Sequence, residues 1–216
     1  MISHKHKFIF VHIPKCGGTS IELALLKKEG IELPYNKIEL LSNEQKQEYS
    51  IGYRYQDTMA QHRTISQYKT KHKKEYFTFT FSRNPWERLL SEYFYIKKEN
   101  GCKCMELNFN KQFPTFNDFV KNNGIKCGWR GHDSLQIDFI LNSNQNKVID
   151  FIGRCENLQE DFNIVCDKIG IAREQLPHAY KTKHKHYTEY YDDETRQIVA
   201  EKYAKDIEYF GYKFGE

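Results

Sequence analysis

Three segments of the chain share one pattern, in which an apolar run is followed by a short turn and then by helical periodicity. The first run, KFIFVHI at 7–13, is apolar on both faces, as a buried parallel strand is. A helix is predicted from about Ile21 to Glu29, where Gly30 ends it, and Thr19 and Glu22 have the spacing of a capping box. The pattern predicts a strand, a turn and a helix.

The second segment begins with EYFTFTF at 75–81, which is rich in the aromatic and β-branched residues that favour strands. NPWERLLSEYFYIKK follows and has the features of a helix start. Asn84 is the expected N-cap, Pro85 occupies the first helical position, and Glu87 completes a second capping box.

The third segment places KVIDFIGR at 147–154 before a helix that runs from Asn157 to Gly170. Near the C-terminus, DDETRQIVAEKYAKDIEYF predicts one long amphipathic helix. Its expected buried stripe consists of Ile198, Val199, Tyr203, Ile207 and Phe210.

Alternation of strands and helices predicts an α/β fold with a mostly parallel central sheet flanked by helices. At 216 residues the chain has the length of a single domain, 1–216. Ligands of such sheets bind beyond the carboxyl ends of the strands. We therefore expect the turns at 14–20 and 82–84 to open onto the same edge.

Composition narrows the class of protein. The chain is 39% hydrophobic and 15% aromatic, which favours a globular fold over disorder. Its net charge of +4 suits an anionic ligand but is too small to indicate nucleic acid. The absence of a membrane-length apolar run and of a signal-peptide core predicts a cytoplasmic protein without membrane insertion. The basic stretches at 69–76 and 181–187 fit solvated surfaces or phosphate contacts.

The six cysteines do not form the pattern of a disulfide scaffold, so we expect reduced thiols. Cys102, Cys104, Cys127 and His132 together offer four zinc-ligand side chains. Their C-x-C spacing is tighter than that of common structural zinc sites, and the sequence therefore favours thiols and no bound metal.

The first turn, PKCGGTS, resembles a phosphate-binding loop with an unusual order. In a Walker loop the lysine follows the glycines, whereas Lys15 here precedes Gly17 and Gly18. The glycines allow backbone N–H groups to approach an anion, and Thr19 and Ser20 offer hydroxyls at a helix N-terminus. An ordinary capped turn also uses these residues, but a lysine at the loop mouth favours anion binding.

The second turn adds another cation. Arg83 follows the predicted strand, and Ser91 lies eight residues later, about two helical turns along. Arginine at such a turn is either a surface charge or a bidentate anion ligand. Two phosphate sites at one sheet edge suggest a nucleotide that is phosphorylated at two positions.

These motifs resemble a known family. KFIFVHIPKCGGTSIE is similar to the 5′-phosphosulfate loop of sulfotransferases that use 3′-phosphoadenosine 5′-phosphosulfate (PAPS), and FSRNPWERLLSEYFY is similar to their 3′-phosphate motif. VIDFIGRCENLQEDF and HYTEYYDDETRQIVAEKYAKDIEYFGYKF resemble later blocks of the carbohydrate branch (Golgi-type, heparan sulfate 2-O-like) and its bacterial relatives. The resemblance runs from about residue 7 to the end and is weakest over 27–74. It implies a P-loop-like nucleotide-binding fold, PAPS as co-substrate, and sulfonate transfer to a carbohydrate hydroxyl without a metal.

The resemblance also implies roles for particular residues. Lys15 would contact the oxygen that bridges phosphate and sulfonate, and Arg83 with Ser91 would hold the 3′-phosphate. His62 corresponds to the catalytic base, and its residue type has an ordinary pKa of about 6.5. His12 is the structural alternative among the histidines, and the C-terminal loop contributes others. The 5′-phosphate would be held by Cys16, Gly17, Gly18, Thr19 and Ser20.

Further residues are candidates for the nucleotide or the acceptor. In the basic loop at 181–191, Lys181, Lys183 and Tyr187 would lie on the 3′-phosphate side, or the loop is simply solvated. Aromatic and basic residues of irregular segments are typical of sites for sugars or anionic glycans, although Trp129 fits a protein core equally well. These acceptor candidates are Tyr53, Arg54, Arg63, Trp129, Arg130 and His132.

Two other classes of protein account for parts of this sequence. A P-loop kinase or NTPase needs the opposite order of lysine and glycines, and the nearest string to a Walker B motif is VID, which ends at Asp150 and resembles that motif only weakly. A nucleotide- or RNA-binding module would use the basic stretches. The combined motifs favour a sulfotransferase with no nucleic-acid partner.

Overall fold

The structure, a computed structural model, describes residues 1–33, 40–49, 62–68, 75–98, 108–127, 131–141, 148–177 and 184–216. Its contacts separate into two compact units, each built from two stretches of the chain. The first unit comprises 1–82 and 138–180, and the second comprises 83–137 and 181–216. The single domain over 1–216 that the chain length predicts stays a prediction.

The described secondary structure follows the order expected from the sequence, with short elements added between the main ones. The strands are β1 (Ile2–Ser3), β2 (Phe8–Val11), β3 (Phe77–Ser82) and β4 (Phe151–Arg154). The α-helices are α1 (Gly18–Lys28), α2 (Asn43–Glu48), α3 (Pro85–Lys98), α4 (Phe109–Gln112), α5 (Phe116–Lys121), α6 (Leu158–Ile169), α7 (Asp193–Lys202) and α8 (Ala204–Phe210).

Among the residues described in the first unit, four strands form one sheet in the order β1-β2-β3-β4. The β2–β3 and β3–β4 pairs are parallel, and β1 is antiparallel to β2. This confirms the predicted α/β fold with a mostly parallel sheet. Because Val11 ends β2 and Ser82 ends β3, the carboxyl ends of both strands lie at one edge.

Aromatic stacking and close backbone packing hold this sheet together. Phe10 stacks on Phe79 with ring centroids 5.1 Å apart, and both are fully buried. The hydroxyl of Thr80 donates to the carbonyl of Val11 over 2.7 Å. Gly153 lies under the Phe81 ring, where a Cβ would come within 2.5 Å of a ring carbon. Helix α6 packs against β3 and β4 and completes one side of this core.

The second unit is helical and has its own aromatic core. Helix α3 packs against α5 and α7. Tyr93 lies at the centre, with its ring 5.4 to 5.9 Å from the rings of Phe109, Phe116 and Phe119. The dense aromatic content seen in the sequence is therefore used mainly for packing here.

Two predicted helix features differ in the structure. Helix α1 begins at Gly18 instead of Ile21, and its N-cap is Gly17, so the capping box between Thr19 and Glu22 is wrong. Glu22 cannot reach back to the helix start because its buried carboxylate contacts His12. By contrast, the backbone N–H of Trp86 donates to the side chain of Asn84, which confirms that N-cap.

The predicted long C-terminal helix is also interrupted. Tyr203 has non-helical backbone angles and separates α7 from α8. Val199 and Tyr203 are buried as expected. The break accompanies the burial of Asp206, a charged residue whose carboxylate binds backbone N–H groups of another segment. No helix within the described ranges is long and apolar enough to cross a membrane.

Candidate functional site

The loop between β2 and α1 has an unusual backbone. Lys15 and Gly17 both have left-handed φ angles, 66° and 80°. Left-handed residues in such a turn direct successive backbone N–H groups into one concavity, an arrangement that binds anions. For a lysine this conformation costs about 1 kcal/mol or more and is typical of functional loops.

Tertiary packing explains why both glycines are needed. At Gly17, the positive φ favours glycine, and a Cβ would also lie 2.8 Å from a methyl group of Leu158 on α6. At Gly18 the φ angle is ordinary, but a Cβ would lie 2.1 Å from the imidazole of His12. The loop is therefore held between α6 and the end of β2.

The N-terminus of α1 follows this loop directly. Its N-cap residue makes no side-chain capping bond in the described structure, and the first turn contains no acidic residue. The first N–H groups of a helix have no acceptor within the helix, and the helix dipole places partial positive charge there. Thr19 is partly exposed and Ser20 is buried. The Cys16 thiol is buried and donates to the carbonyl of Pro14.

A buried pair lies directly beneath the loop. His12 Nδ1 is 2.9 Å from Glu22 Oε1, and the two side chains are only 5% and 1% exposed. Because an ionised carboxylate only accepts, Nδ1 of His12 carries the proton in this contact. Glu22 therefore fixes the orientation of the His12 ring from within α1.

His62 packs against the same histidine. Its Nδ1 lies 3.1 Å from the backbone carbonyl oxygen of His12, and the two rings meet edge to face with centroids 4.6 Å apart. A carbonyl only accepts, so His62 donates from Nδ1, and in its neutral form the lone pair is on Nε2. His62 is partly exposed and is followed by Arg63, which is also partly exposed.

Arg63 adds positive charge to this region. Burial raises the pKa of the nearby Tyr68 hydroxyl, the negative charge of Glu22 raises it further, and Arg63 opposes both. Tyr68 stays a neutral donor, and its hydroxyl bonds to the carbonyl of Phe10 over 3.0 Å.

In the second unit, Arg83 follows directly after β3. Its guanidinium Nη2 lies 3.0 Å from Oε1 of Glu87, one helical turn along α3. Its backbone is held on both sides by Gln136, whose amide accepts from the Arg83 N–H and donates to the Arg83 carbonyl, each over 2.9 Å. Ser91 lies one further turn along α3 and is partly exposed.

A buried carboxylate supports Gln136 in turn. Asp206 accepts from the backbone N–H groups of Gln136 and Ile137 over 2.8 and 2.9 Å. Burial raises the pKa of this carboxyl, and the two backbone hydrogen bonds oppose that effect. Arg83 is thus connected through Gln136 to the C-terminal helix α8.

His132 belongs to the same unit and is held by α3. Its Nδ1 lies 2.8 Å from Oε2 of Glu92, and its carbonyl accepts from Nη2 of Arg88 over 2.9 Å. Arg88 also donates to the carbonyl of Ser134. The assignment of His132 to the acceptor stays a prediction.

Tyr187 has a structural position in the second unit. It is 2% exposed, and its hydroxyl accepts from Asn84 Nδ2 and from the backbone N–H of Gly215. The hydroxyl donates to the carbonyl of Glu216. These contacts fix the C-terminal tail, and the proposed nucleotide contact of Tyr187 remains a prediction.

Several predicted residues lie outside the described part of the chain. They are Tyr53, Arg54, Cys102, Cys104, Trp129, Arg130, Lys181 and Lys183. Within the described part there is no group of three or more histidine, cysteine, aspartate or glutamate side chains placed to hold a metal ion. Asp150 precedes β4, at the amino end of the strand, and its carboxylate accepts from the N–H and hydroxyl of Thr78. It therefore does not occupy the position of a Walker B aspartate.

The sequence interpretation missed the residues that support the predicted ones. For some of them the signal is a charged side chain in an otherwise buried stretch, such as Glu22 between Ile21 and Leu25 of α1. The same signal marks Arg88 and Glu92 of α3. Gln136 and Asp206 are also buried, but their neighbours in the chain are partly or fully exposed, so this signal does not mark them.

These features define the class of protein. It is an α/β protein in which a glycine-rich loop joins a parallel strand to a helix, and His12 and His62 lie below this loop. Comparison with known proteins identifies the family. A model described as the sulfotransferase family matches residues 1–213. The chain belongs to the sulfotransferase family and is an enzyme that transfers a sulfonate group.

The chain is also similar to two individual proteins. An uncharacterized protein of Archaeoglobus fulgidus is 37% identical over 101 residues, which is 46% of this chain and 72% of that protein. A crystal structure of a sulfotransferase from Alicyclobacillus acidocaldarius is 14% identical, covers 96% of both chains and superposes with a TM-score of 0.43. The family assignment rests on the match over residues 1–213.

Proposed function

We propose that the protein transfers the sulfonate group of PAPS to a hydroxyl of a carbohydrate acceptor, with His62 as general base. The observation that carries this proposal is the loop that starts at Lys15, where left-handed backbone leads directly into a helix whose N-cap is Gly17 and whose first turn has no acidic residue. Membership of the sulfotransferase family supports the reaction, and the resemblance to PAPS-dependent enzymes supports the donor.

The loop fits the phosphate that remains after transfer. Backbone N–H groups of Gly17, Gly18 and Thr19 and the dipole of α1 would bind the 5′-phosphate, with the Thr19 hydroxyl beside them. The N–H groups of Cys16 and Ser20 at the two ends of this loop donate to the carbonyls of Ile13 and Gly17. No Cβ at Gly17 or Gly18 and no acidic side chain in the first turn of α1 opposes an anion at this place. Lys15 would contact the bridging oxygen, where negative charge develops as its bond to sulfur breaks.

His62 supplies the base. The acceptor hydroxyl oxygen attacks sulfur in line, Nε2 of His62 takes the hydroxyl proton, and the bond between sulfur and the bridging oxygen breaks. The bond electrons remain on the 5′-phosphate of 3′-phosphoadenosine 5′-phosphate. The contact between Nδ1 of His62 and the His12 carbonyl supports this role because it places the lone pair of the neutral ring on Nε2.

Arg83 and Ser91 would bind the 3′-phosphate of the nucleotide. The guanidinium offers a bidentate contact, and its backbone is already fixed by Gln136. Glu87 would share Arg83 with the phosphate, since it lies between Arg83 and Ser91 along α3.

The carbohydrate acceptor is supported by the resemblance of the later sequence blocks to the carbohydrate branch. Arg63 and His132 are the acceptor candidates in the described ranges. The further candidates Arg54, Trp129 and Arg130, and the nucleotide candidate Lys183, lie outside those ranges.

The proposal is tested by measuring transfer of radiolabelled sulfonate from PAPS to a panel of glycans and sugar-containing small molecules. Replacing Lys15 with Ala should reduce kcat by about 10²- to 10³-fold, as expected for loss of a contact to developing charge. His62→Ala should reduce kcat by about 10²- to 10⁴-fold with little change in the affinity for 3′-phosphoadenosine 5′-phosphate.

The chain offers a matched control for Lys15. Lys7 also has a left-handed backbone, with φ of 51°, but it precedes β2 at the opposite end of the strand. Lys7→Ala should change stability about as much as Lys15→Ala while leaving transfer intact. Transfer by Lys15→Ala at the rate of Lys7→Ala would refute the role of Lys15. ATP hydrolysis that depends on Mg²⁺, without sulfonate transfer, would favour the kinase or NTPase class instead.

A further inference from the structure

We propose that the buried pair of His12 and Glu22 is a positioning device that sets the phosphate loop and the catalytic imidazole together. The proposal rests on the role of His62 given above and concerns residues of the first unit alone. Neither residue touches the reacting atoms in this scheme. Both act through their neighbours, Gly18 on one side and His62 on the other.

The pair has the contacts that such a device needs. Glu22 holds Nδ1 of His12 over 2.9 Å, with both side chains almost completely buried. A buried charged group is costly unless it is hydrogen-bonded, so this contact strongly disfavours other orientations of the ring. The His12 ring is therefore fixed relative to α1, the helix whose N-terminus the loop forms.

One side of the His12 ring supports the loop. Three of its ring atoms lie 2.1 to 2.6 Å from the position that a Cβ of Gly18 would occupy. The backbone of Gly18 thus rests directly on the imidazole. Rotation or loss of this ring would remove the support at the residue where α1 begins.

The other contacts of His12 orient the ring of His62, the proposed base. Its carbonyl oxygen accepts from Nδ1 of His62, and its ring meets the His62 ring edge to face. The hydrogen bond selects the neutral tautomer with its lone pair on Nε2, and the ring contact limits rotation. One residue at the end of β2 therefore links the predicted donor loop to the predicted proton acceptor.

Charged groups around the pair come from several elements. Glu22 lies on α1, Arg63 follows His62 in the chain, and the neutral Tyr68 hydroxyl is influenced by both charges. Because Glu22 and Arg63 act in opposite directions on this region, removal of Glu22 should leave the positive charge of Arg63 unbalanced.

The first experiment observes the tautomer directly. Two-bond ¹H–¹⁵N spectra of the histidine rings distinguish protonation at Nδ1 from protonation at Nε2, and the signals of His62 are assigned by their loss in His62→Ala. We expect neutral His62 of the wild-type protein to be protonated at Nδ1. His12→Asn, which keeps a donor for Glu22 but lacks the ring, and Glu22→Ala both retain the backbone carbonyl of residue 12. Because they remove or loosen the ring contact that limits rotation of His62 away from that carbonyl, both should yield a mixture of tautomers.

Two variants separate this effect from general loss of packing. Glu22→Gln retains an oxygen acceptor for His12 and should keep the wild-type tautomer. His132→Asn disrupts the similar buried pair with Glu92 in the second unit and should leave the His62 signals unchanged. A wild-type His62 protonated at Nε2 would overturn the proposal even if every variant failed to fold.

The second experiment is a kinetic double-mutant cycle. His12→Asn should lower kcat about 10- to 100-fold through misplacement of His62, and it should raise the Kd for 3′-phosphoadenosine 5′-phosphate through the loop. In the His62→Ala background, His12→Asn should change kcat less than about twofold, while its effect on nucleotide affinity persists.

The outcomes separate this inference from the proposed function. Equal losses of kcat from His12→Asn in both backgrounds would overturn the positioning role. If His62→Ala has normal turnover, the proposed base is wrong, whereas the tautomer spectra still report whether His12 and Glu22 orient this ring. His4→Ala is the activity control, because it removes another histidine contact of the first unit, with Tyr76 at the amino end of β3, and should leave turnover unchanged.

Discussion

Gly18 offers the sharpest test of packing around the loop. Gly18→Ala adds one methyl group at the first residue of α1, where the φ angle is compatible with alanine. The methyl carbon would lie 2.1, 2.2 and 2.6 Å from three atoms of the His12 ring. The ring cannot simply rotate away, since Glu22 holds its Nδ1.

Two opposing effects determine how much Gly18→Ala changes the free energy of unfolding. Overpacking of a closely packed site costs about 1–3 kcal/mol. Alanine in place of glycine within a helix gains about 0.5–1 kcal/mol. The clash is the larger effect, so we expect a net loss of about 1–2 kcal/mol of unfolding free energy, equivalent to a fall in Tm of about 2–8 °C.

The assay is urea unfolding followed by circular dichroism, performed in two backgrounds. In His12→Ala the ring is absent, and Gly18→Ala should become neutral or stabilise the protein by up to about 1 kcal/mol. Whether Gly18→Ala stabilises or destabilises the protein thus depends on the His12 ring. Equal destabilisation in both backgrounds would refute the close contact between Gly18 and the His12 ring.

Three further predictions concern the second unit. Glu87→Gln should bind 3′-phosphoadenosine 5′-phosphate about two- to fivefold more tightly in calorimetry, because a carboxylate no longer competes for Arg83. Asp192→Ala should cost about 1 kcal/mol of stability in urea unfolding, because Asp192 caps α7 through the N–H of Thr195. Asp206→Asn should cost about 1–3 kcal/mol at pH 4 and less at pH 7, since one backbone N–H loses its acceptor.

Each of these three predictions has a control ligand or a characteristic dependence of stability on pH. Adenosine 5′-phosphate lacks the 3′-phosphate, and an equal gain in its affinity for Glu87→Gln would contradict the role of Arg83. Hydrogen bonds from Thr195 lower the pKa of Asp192 to about 2, so the stabilisation by its charge is present above pH 3.8 and is lost as the pH falls toward 2. Asp192→Asn should remove this pH dependence but keep most of the cap.

The pH dependence of Asp206 has the opposite sign. Burial raises its pKa above the ordinary 3.8, so its contribution to stability is fully present below pH 3.8 and decreases as the pH rises through the higher folded value. A cost of Asp206→Asn that is larger at pH 7 than at pH 4 would contradict this sign.

The main strands, the helices that follow them and the α/β class were predictable because their signals are local. An apolar run, an N-cap such as Asn84 and a terminating glycine such as Gly170 each act over a few residues. The two-residue strand β1 carries no such signal, and the break at Tyr203 was missed because the apolar stripe continues through it.

The sequence by itself determined the order of strands and helices, the loop at Lys15 and the family resemblance that singled out His62. Tertiary structure alone decided what holds those residues, because the contacts join positions far apart in the chain. His12 meets His62 across 50 residues, and Gln136 meets Asp206 across 70. Local secondary-structure propensity does not indicate which residues form such pairs. They form because burial leaves each polar group with only the partner that folding brings to it.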